Sequence, residues 1–175
     1  RVSASPPRSP RGGGSGADPP MPVIQFGAMQ PKLRELYAFW DDRRQRSDGK
    51  LPSIMRVHAE SLTPWLKNLV IMTVRREGEF VYRYYPKTFV EQFGVDMSGR
   101  DTTELPEAQR ALIEHEYDYV RQKKRPTWRM YTGEFDNEIV TWERLILPFA
   151  ADGETIDTLM IGVYEAKNAG LFEIA

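Results

Sequence analysis

The residues from Thr127 to Ala166, TWRMYTGEFDNEIVTWERLILPFAADGETIDTLMIGVYEA, limit the fold more than any other stretch of the chain. Three runs rich in β-branched and aromatic residues are separated by Asp136-Asn137 and Asp152-Gly153, residue pairs that tolerate the positive φ of tight turns. The expected product is a three-stranded antiparallel meander. In its last run Leu159, Ile161 and Val163 fall on one face and Ile156, Met160 and Tyr164 on the other. Neither face suits water, so both must be covered.

The upstream chain supplies candidate covers. Leu33, Leu36, Tyr37 and Trp40 recur at three- and four-residue steps behind Pro31, which predicts a helix with one apolar stripe, stopped by Ser47-Asp48-Gly49. That stripe suits one face of the sheet or a dimer partner's matching helix. Arg43, Arg44 and Arg46 crowd its end, where the helix dipole accounts for them better than anion binding does. Leu62, Trp65, Leu66 and Leu69, with Pro64 in the first turn, predict a short helix, and His58 before it reads as a surface or hydrogen-bonded histidine. Leu69 to Arg75 and Glu79 to Tyr84 read as two strands around Arg76-Glu77-Gly78, with Phe80, Tyr82 and Tyr84 on one face; Pro86 ends the pairing. Lys87 to Phe93 is a short helix closed by Gly94. The longest helix is expected from Pro106 to Lys124, with Leu105, Ala108, Leu112 and Tyr119 as its apolar stripe, widened by Ile113, Tyr117 and Val120. The basic residues Arg121, Lys123, Lys124 and Arg125 suit its C-terminal end better than they suit a phosphate.

Composition narrows the classes of function. A chain of 175 residues with 41% hydrophobic side chains supports one well-packed domain. Basic and acidic residues balance at 24 and 25, so no global field draws the protein to nucleic acid or to an anionic membrane. With no cysteine, disulfides, thiolate metal sites, a cysteine nucleophile and a cysteine–flavin adduct are excluded. No apolar run reaches the roughly 20 residues of a membrane helix, and no signal-peptide core is evident, so a cytoplasmic location is expected. Arg1 to Pro20, with Gly12-Gly13-Gly14 and five prolines, is read as a disordered tail, and Met21 as a candidate native start.

The order helix, helix, two strands, helical group, three strands resembles the PAS domain. From Leu33 to Val163 the resemblance is carried by LxxLYxFW, Gly49-Lys50-Leu51-Pro52, Pro64-Trp65-Leu66 and Tyr82-Arg83, then by Phe93-Gly94-Val95-Asp96-Met97-Ser98-Gly99-Arg100, Leu147-Pro148 and Asp152-Gly153-Glu154-Thr155-Ile156-Asp157. Together these are similar to a family of small single-domain bacterial PAS proteins frequent in alphaproteobacteria. The resemblance implies an α+β fold: a five-stranded antiparallel sheet with a helical insert on one face and N-terminal helices nearby. It divides the chain into a tail at 1–20, an N-terminal helical segment at 21–68, a PAS-like core at 69–166 and a C-terminal tail at 167–175. Such modules sense a small molecule, light or redox state, or they dimerise and dock. One departure is that Tyr84-Tyr85-Pro86-Lys87-Thr88 stands where the family usually has a glycine-threonine pair, so the helix bounding the usual ligand cavity is expected to enter at a different angle.

Signals for catalysis are scarce. Asp136 with Glu138, and Asp152 with Glu154, sit at turns, where carboxylates serve turn chemistry more often than acid–base work. No phosphate-cradling loop, serine elbow or paired-histidine motif is present. Of the two histidines, His115 is the better placed for a haem, against the blander reading of a half-exposed helix residue. Glu116 is the anomaly, because a carboxylate inside an apolar stripe must reach water, pair with a cation or face a polar cavity. Trp142, Arg144 and Ile146 share one strand face, and Arg144 raises the same question. The residues expected to line a ligand space are Glu116, Arg144, Trp142, Tyr117, Leu112, His115 and Tyr82. No metal site and no particular cofactor is implied.

The expected function is a non-catalytic sensory or regulatory module that binds a small-molecule ligand, dimerises, or both. The alternatives are a ligand-free interaction domain and, more remotely, a small-cavity enzyme with Glu116 as base. No kinase, cyclase or DNA-binding segment is read in these residues, so the output is expected to pass through a homodimer or a signalling partner protein.

Overall fold

The computed structural model describes residues 24–135 and 137–166; the tails read at 1–20 and 167–175, and the turn residue Asp136, lie outside them. Five strands form one antiparallel sheet: β1 Leu69–Val74, β2 Phe80–Tyr84, β3 Thr127–Phe135, β4 Glu138–Phe149 and β5 Thr158–Glu165, in the order β2-β1-β5-β4-β3. The meander is therefore its larger part. Every residue of β5 from Thr158 to Val163 is buried, as a strand covered on both sides requires.

The two hairpin signals fare differently. Asn137 takes φ 65° beside the pair Phe135↔Glu138, so β3 and β4 are joined as tightly as the sequence suggests. The β4–β5 connection is instead the longer loop 150–157. Asp152-Gly153 makes a local turn inside it: the Asp152 carboxylate accepts from the backbone N–H of Glu154 and Thr155 at 2.8 and 2.7 Å, and Gly153 sits at φ 80°. The strands end earlier because Asp157 closes the ladder at Phe149, where its N–H donates to the Phe149 carbonyl at 3.1 Å.

One face of the sheet is covered by α1, Pro31–Gln45. Pro31 fits the first turn, and the Gln30 side chain accepts from the N–H of Lys32 and Leu33. Leu33, Leu36 and Trp40 are buried, each stabilising by about 1.5–3 kcal/mol. The helix approaches at Gly162, where a Cβ would lie 2.6 Å from Leu33 Cδ2 and 2.9 Å from Leu36 Cδ2. Trp40 Nε1 donates to the Pro148 carbonyl at 2.8 Å, and buried Glu143 accepts from Gln30 N at 2.9 Å and from Trp128 Nε1 at 3.1 Å. The apolar stripe is thus taken by the chain's own sheet. The short helix expected around Pro64 is a 3₁₀ segment, Ala59–Asn68, whose three-residue period buries both Leu62 and Trp65.

The opposite face meets the insert between β2 and β3, which holds α2, Lys87–Phe93, and α3, Glu107–Lys123. Gly94 caps α2 at φ 77°, and α3 ends at Lys124 in the left-handed region. The buried line of α3 is Ile113, Glu116, Tyr117 and Val120. Ile113, Tyr117 and Val120, the widening residues of the predicted stripe, and Glu116 inside it are borne out, while its centre is corrected. Leu112 is 67% exposed, and Ala108 and His115 are exposed as well, so the helix is turned by about one residue step, near 100°. Counting apolar side chains centres the face on Leu112, whereas the helix centres it on Glu116, whose counter-ion waits in the sheet. No helix among the described residues is long and apolar enough to cross a membrane.

Candidate functional site

Alternation along β4 sends Glu143, Leu145 and Leu147 toward α1 and Trp142, Arg144 and Ile146 toward the insert. Cross-strand pairs place Tyr131 beside Trp142, Arg129 beside Arg144 and Thr127 beside Ile146 on that same insert face. From the helix side Glu116, 0% exposed, forms an ion pair with Arg144, whose side chain is 13% exposed. Thr127 Oγ1 donates to the other Glu116 oxygen at 3.5 Å. An unpaired carboxylate here would cost several kcal/mol; the guanidinium and the hydroxyl offset that cost.

Aromatic rings surround the pair. Tyr117 meets Phe80 edge-on at 5.1 Å, and rings follow one another from Tyr82 through Tyr85, Phe89 and Phe93 to Trp142 at 5.7–5.9 Å. The Arg144 guanidinium lies over the Tyr131 ring, 5.0 Å from its centre. Burial is the largest single influence on Arg144 and pulls against its charge, but the Glu116 carboxylate together with Tyr117 and Tyr131 outweighs it and raises the pKa. Burial lifts the Tyr82 phenol to about 12 and the Tyr117 phenol well above its usual value; Tyr131 is raised by burial against the opposing effect of Arg144. The interior thus holds neutral phenols around a closed ion pair.

Two donors in this interior have no acceptor. Trp142 Nε1 and Arg144 Nε are buried and make no hydrogen bond among the described residues. They lie two residues apart on one face of β4, beneath a rim formed by Phe93 and Tyr131, which are 38% and 39% exposed. Two surface hollows of about 260 Å³ each lie elsewhere, one lined by Ile54, Met55, Leu62, Ile71 and Tyr84, the other by Arg43, Arg46 and Arg56. Neither of them holds the two unsatisfied donors.

Of the residues predicted to line a ligand space, Glu116, Arg144, Trp142, Tyr117 and Tyr82 converge. Leu112 and His115 do not: both point to solvent, so His115 is not presented to the interior. Thr127, Tyr131 and Phe93 belong to the cluster and were not foreseen. A signal for Tyr131 did exist, because a two-residue turn at Asp136-Asn137 pairs positions outward from Phe135↔Glu138 and so places Tyr131 opposite Trp142. Among the described residues no three His, Cys, Asp or Glu side chains are grouped to hold a metal ion.

A five-stranded antiparallel sheet in the order 2-1-5-4-3, with its helical insert between the second and third strands, is the α+β architecture of a PAS domain. The PAS domain family profile matches residues 28–165, and the chain belongs to that family, whose members are typically sensory or signalling modules. The match includes α1 along with the sheet.

Solved structures with a similar fold include the PAS domain of Bordetella pertussis BvgS (13% identity, 60% of this chain and 80% of that one, TM-score 0.45). The PAS domain of histidine kinase ThkA is 19% identical over 55% of this chain and 97% of that one, with a TM-score of 0.40. A Rhodobacter sphaeroides LOV protein is 10% identical over 65% and 71%, with a TM-score of 0.45. No curated protein matches the chain.

Proposed function

We propose that this chain is a non-catalytic sensory PAS module that reads a small molecule between α3 and the β3–β4 hairpin and passes the state of that interior to a signalling partner or to a second copy of itself. The observation that supports the reading is the pair of buried donors, Trp142 Nε1 and Arg144 Nε, which lack acceptors inside a cluster already fixed by Glu116, Tyr117 and Tyr82. A buried donor without a partner costs about 1–3 kcal/mol, so a molecule that supplies an acceptor gains that amount in binding. Glu116 is not the base of an enzyme in this reading, since its oxygens engage Arg144 and Thr127. Native mass spectrometry of the purified protein, followed by a small-molecule thermal-shift screen, tests it. A copurifying ligand or a saturable shift lost in Trp142→Phe supports the reading; no bound mass and no shift with any class of molecule refutes it.

The continuous ring contacts from Tyr82 to Trp142 favour a second reading, in which the interior is filled and the domain serves only to dimerise or dock. Light scattering separates the two: a ligand-independent dimer in a protein with no thermal shifts supports the second.

A further inference from the structure

The donors of the interior cluster also specify the chemistry of what would fit them. Arg144 carries its charge into a site where Glu116 already engages Nη2, leaving the Nε–H directed elsewhere. Trp142 adds a second N–H with no acceptor, about 7 Å along the same face of β4 by strand geometry. Neither group can accept a hydrogen bond, so an ammonium, which only donates, cannot serve them; what they lack is an acceptor. The charge points the same way. Arg129 stands directly opposite Arg144 on the insert face and makes no ion pair among the described residues, while Glu116 is the one carboxylate there that pairs with either. Glu165, exposed, stands opposite Trp142 from β5 on the same face and balances the second guanidinium overall, but Arg129 and Arg144 are each other's direct neighbours, and like charges directly opposite on a sheet are destabilising unless an anion lies beside them.

We propose that the interior takes a small carboxylate, its oxygens accepting from Arg144 Nε and Trp142 Nε1, entering under the rim of Phe93 and Tyr131. This rests on the ligand reading above. A guanidinium edge and an indole N–H together make the charge-assisted, planar donor set that carboxylates accept. Phe93 packs on Trp142 at 5.9 Å and on Phe89 at 5.7 Å and is 38% exposed, so it stands between the indole and solvent.

The test is amide and indole NMR on the full ¹⁵N-labelled chain, titrated with pyruvate, acetate and propionate and, in parallel, with the neutral pyruvamide and propionamide. The Trp142 indole resonance is assigned by its absence in Trp142→Phe. The expected result is a saturable shift of that resonance and of the Arg144 Nε–H with a carboxylate, at least about tenfold tighter than with the matching amide, while the indoles of Trp40, Trp65 and Trp128 stay in place. Trp142→Phe, and Arg144→Lys, which keeps the charge beside Glu116 but removes the Nε donor, each weaken carboxylate binding about tenfold. Saturation by the amides as tightly as by the carboxylates overturns the anionic class and leaves the ligand reading standing. No response of the Trp142 indole to either series, as when buried water alone serves the two donors, overturns the carboxylate, and the ligand reading falls with it only if native mass spectrometry and the thermal-shift screen are blank too.

Discussion

Removing Arg144 should expose how much of the fold depends on its pairing with Glu116. Arg144→Met leaves a carboxylate with 0% exposure, held only by the 3.5 Å Thr127 hydroxyl among the described residues. Stranding a buried charge costs about 3–5 kcal/mol. Glu116→Gln keeps the side-chain shape and leaves Arg144, 13% exposed, close enough to the rim to recruit water, so its cost is about 1–3 kcal/mol. The double variant buries no unmatched charge and should lose only about 1–3 kcal/mol, which is well short of the sum of the singles. The thermodynamic cycle should therefore close with a coupling of about 3–5 kcal/mol, because the double variant costs no more than Glu116→Gln alone. Urea unfolding followed by tryptophan fluorescence measures it, provided the m-value is the same across the four proteins. Additive single losses, within about 0.5 kcal/mol, would refute the reasoning and place the pair at a solvated surface.

Four further outcomes follow from the same geometry. Gly162→Ala places a methyl 2.6 Å from Leu33 Cδ2, so it should destabilise by about 1–3 kcal/mol in urea unfolding as α1 is displaced. Deleting residues through Arg46 strips α1 from Leu145, Leu147 and Met160, each 0% exposed, and should cause aggregation that light scattering detects. Leu112→Ser and His115→Ala, on the solvent side of α3, should each change stability by no more than about 0.5 kcal/mol, and a large loss would reinstate the apolar stripe that the structure corrects. The Tyr82 phenol has its folded pKa raised from 10.0 to about 12 by burial, so the protonated form is favoured by folding. Its contribution is complete below pH 10 and is lost as the pH rises toward 12; stability flat across that window, with Tyr82→Phe as control, would contradict the burial.

Much of the architecture could be read from the chain because it rests on local signals. The period-2 runs of the meander, the positive-φ residue Asn137, and the glycine that closes α2 each act within a few residues of themselves. Glu116 and Arg144 also stood out as polar interruptions of apolar faces, and the alternation that places Trp142 and Arg144 together needs only strand geometry. What sequence could not supply was the rotation of α3. Its buried face is chosen by free energy summed over the whole sheet, and Glu116 joins Ile113, Tyr117 and Val120 inside only because Arg144, 28 residues away along the chain, neutralises it. Read on its own, the helix puts its most apolar side chains, Leu112 included, toward the core. Likewise the stripe of α1 states that a surface must be covered, but whether a sheet or a second subunit covers it depends on Gly162 leaving room for Leu33 and Leu36. The sequence alone determined the elements, their order and the chemistry in need of a partner. The tertiary structure decided which partner each polar group received, and which two donors, Trp142 Nε1 and Arg144 Nε, received none, because those pairings join segments that only the folded sheet brings together.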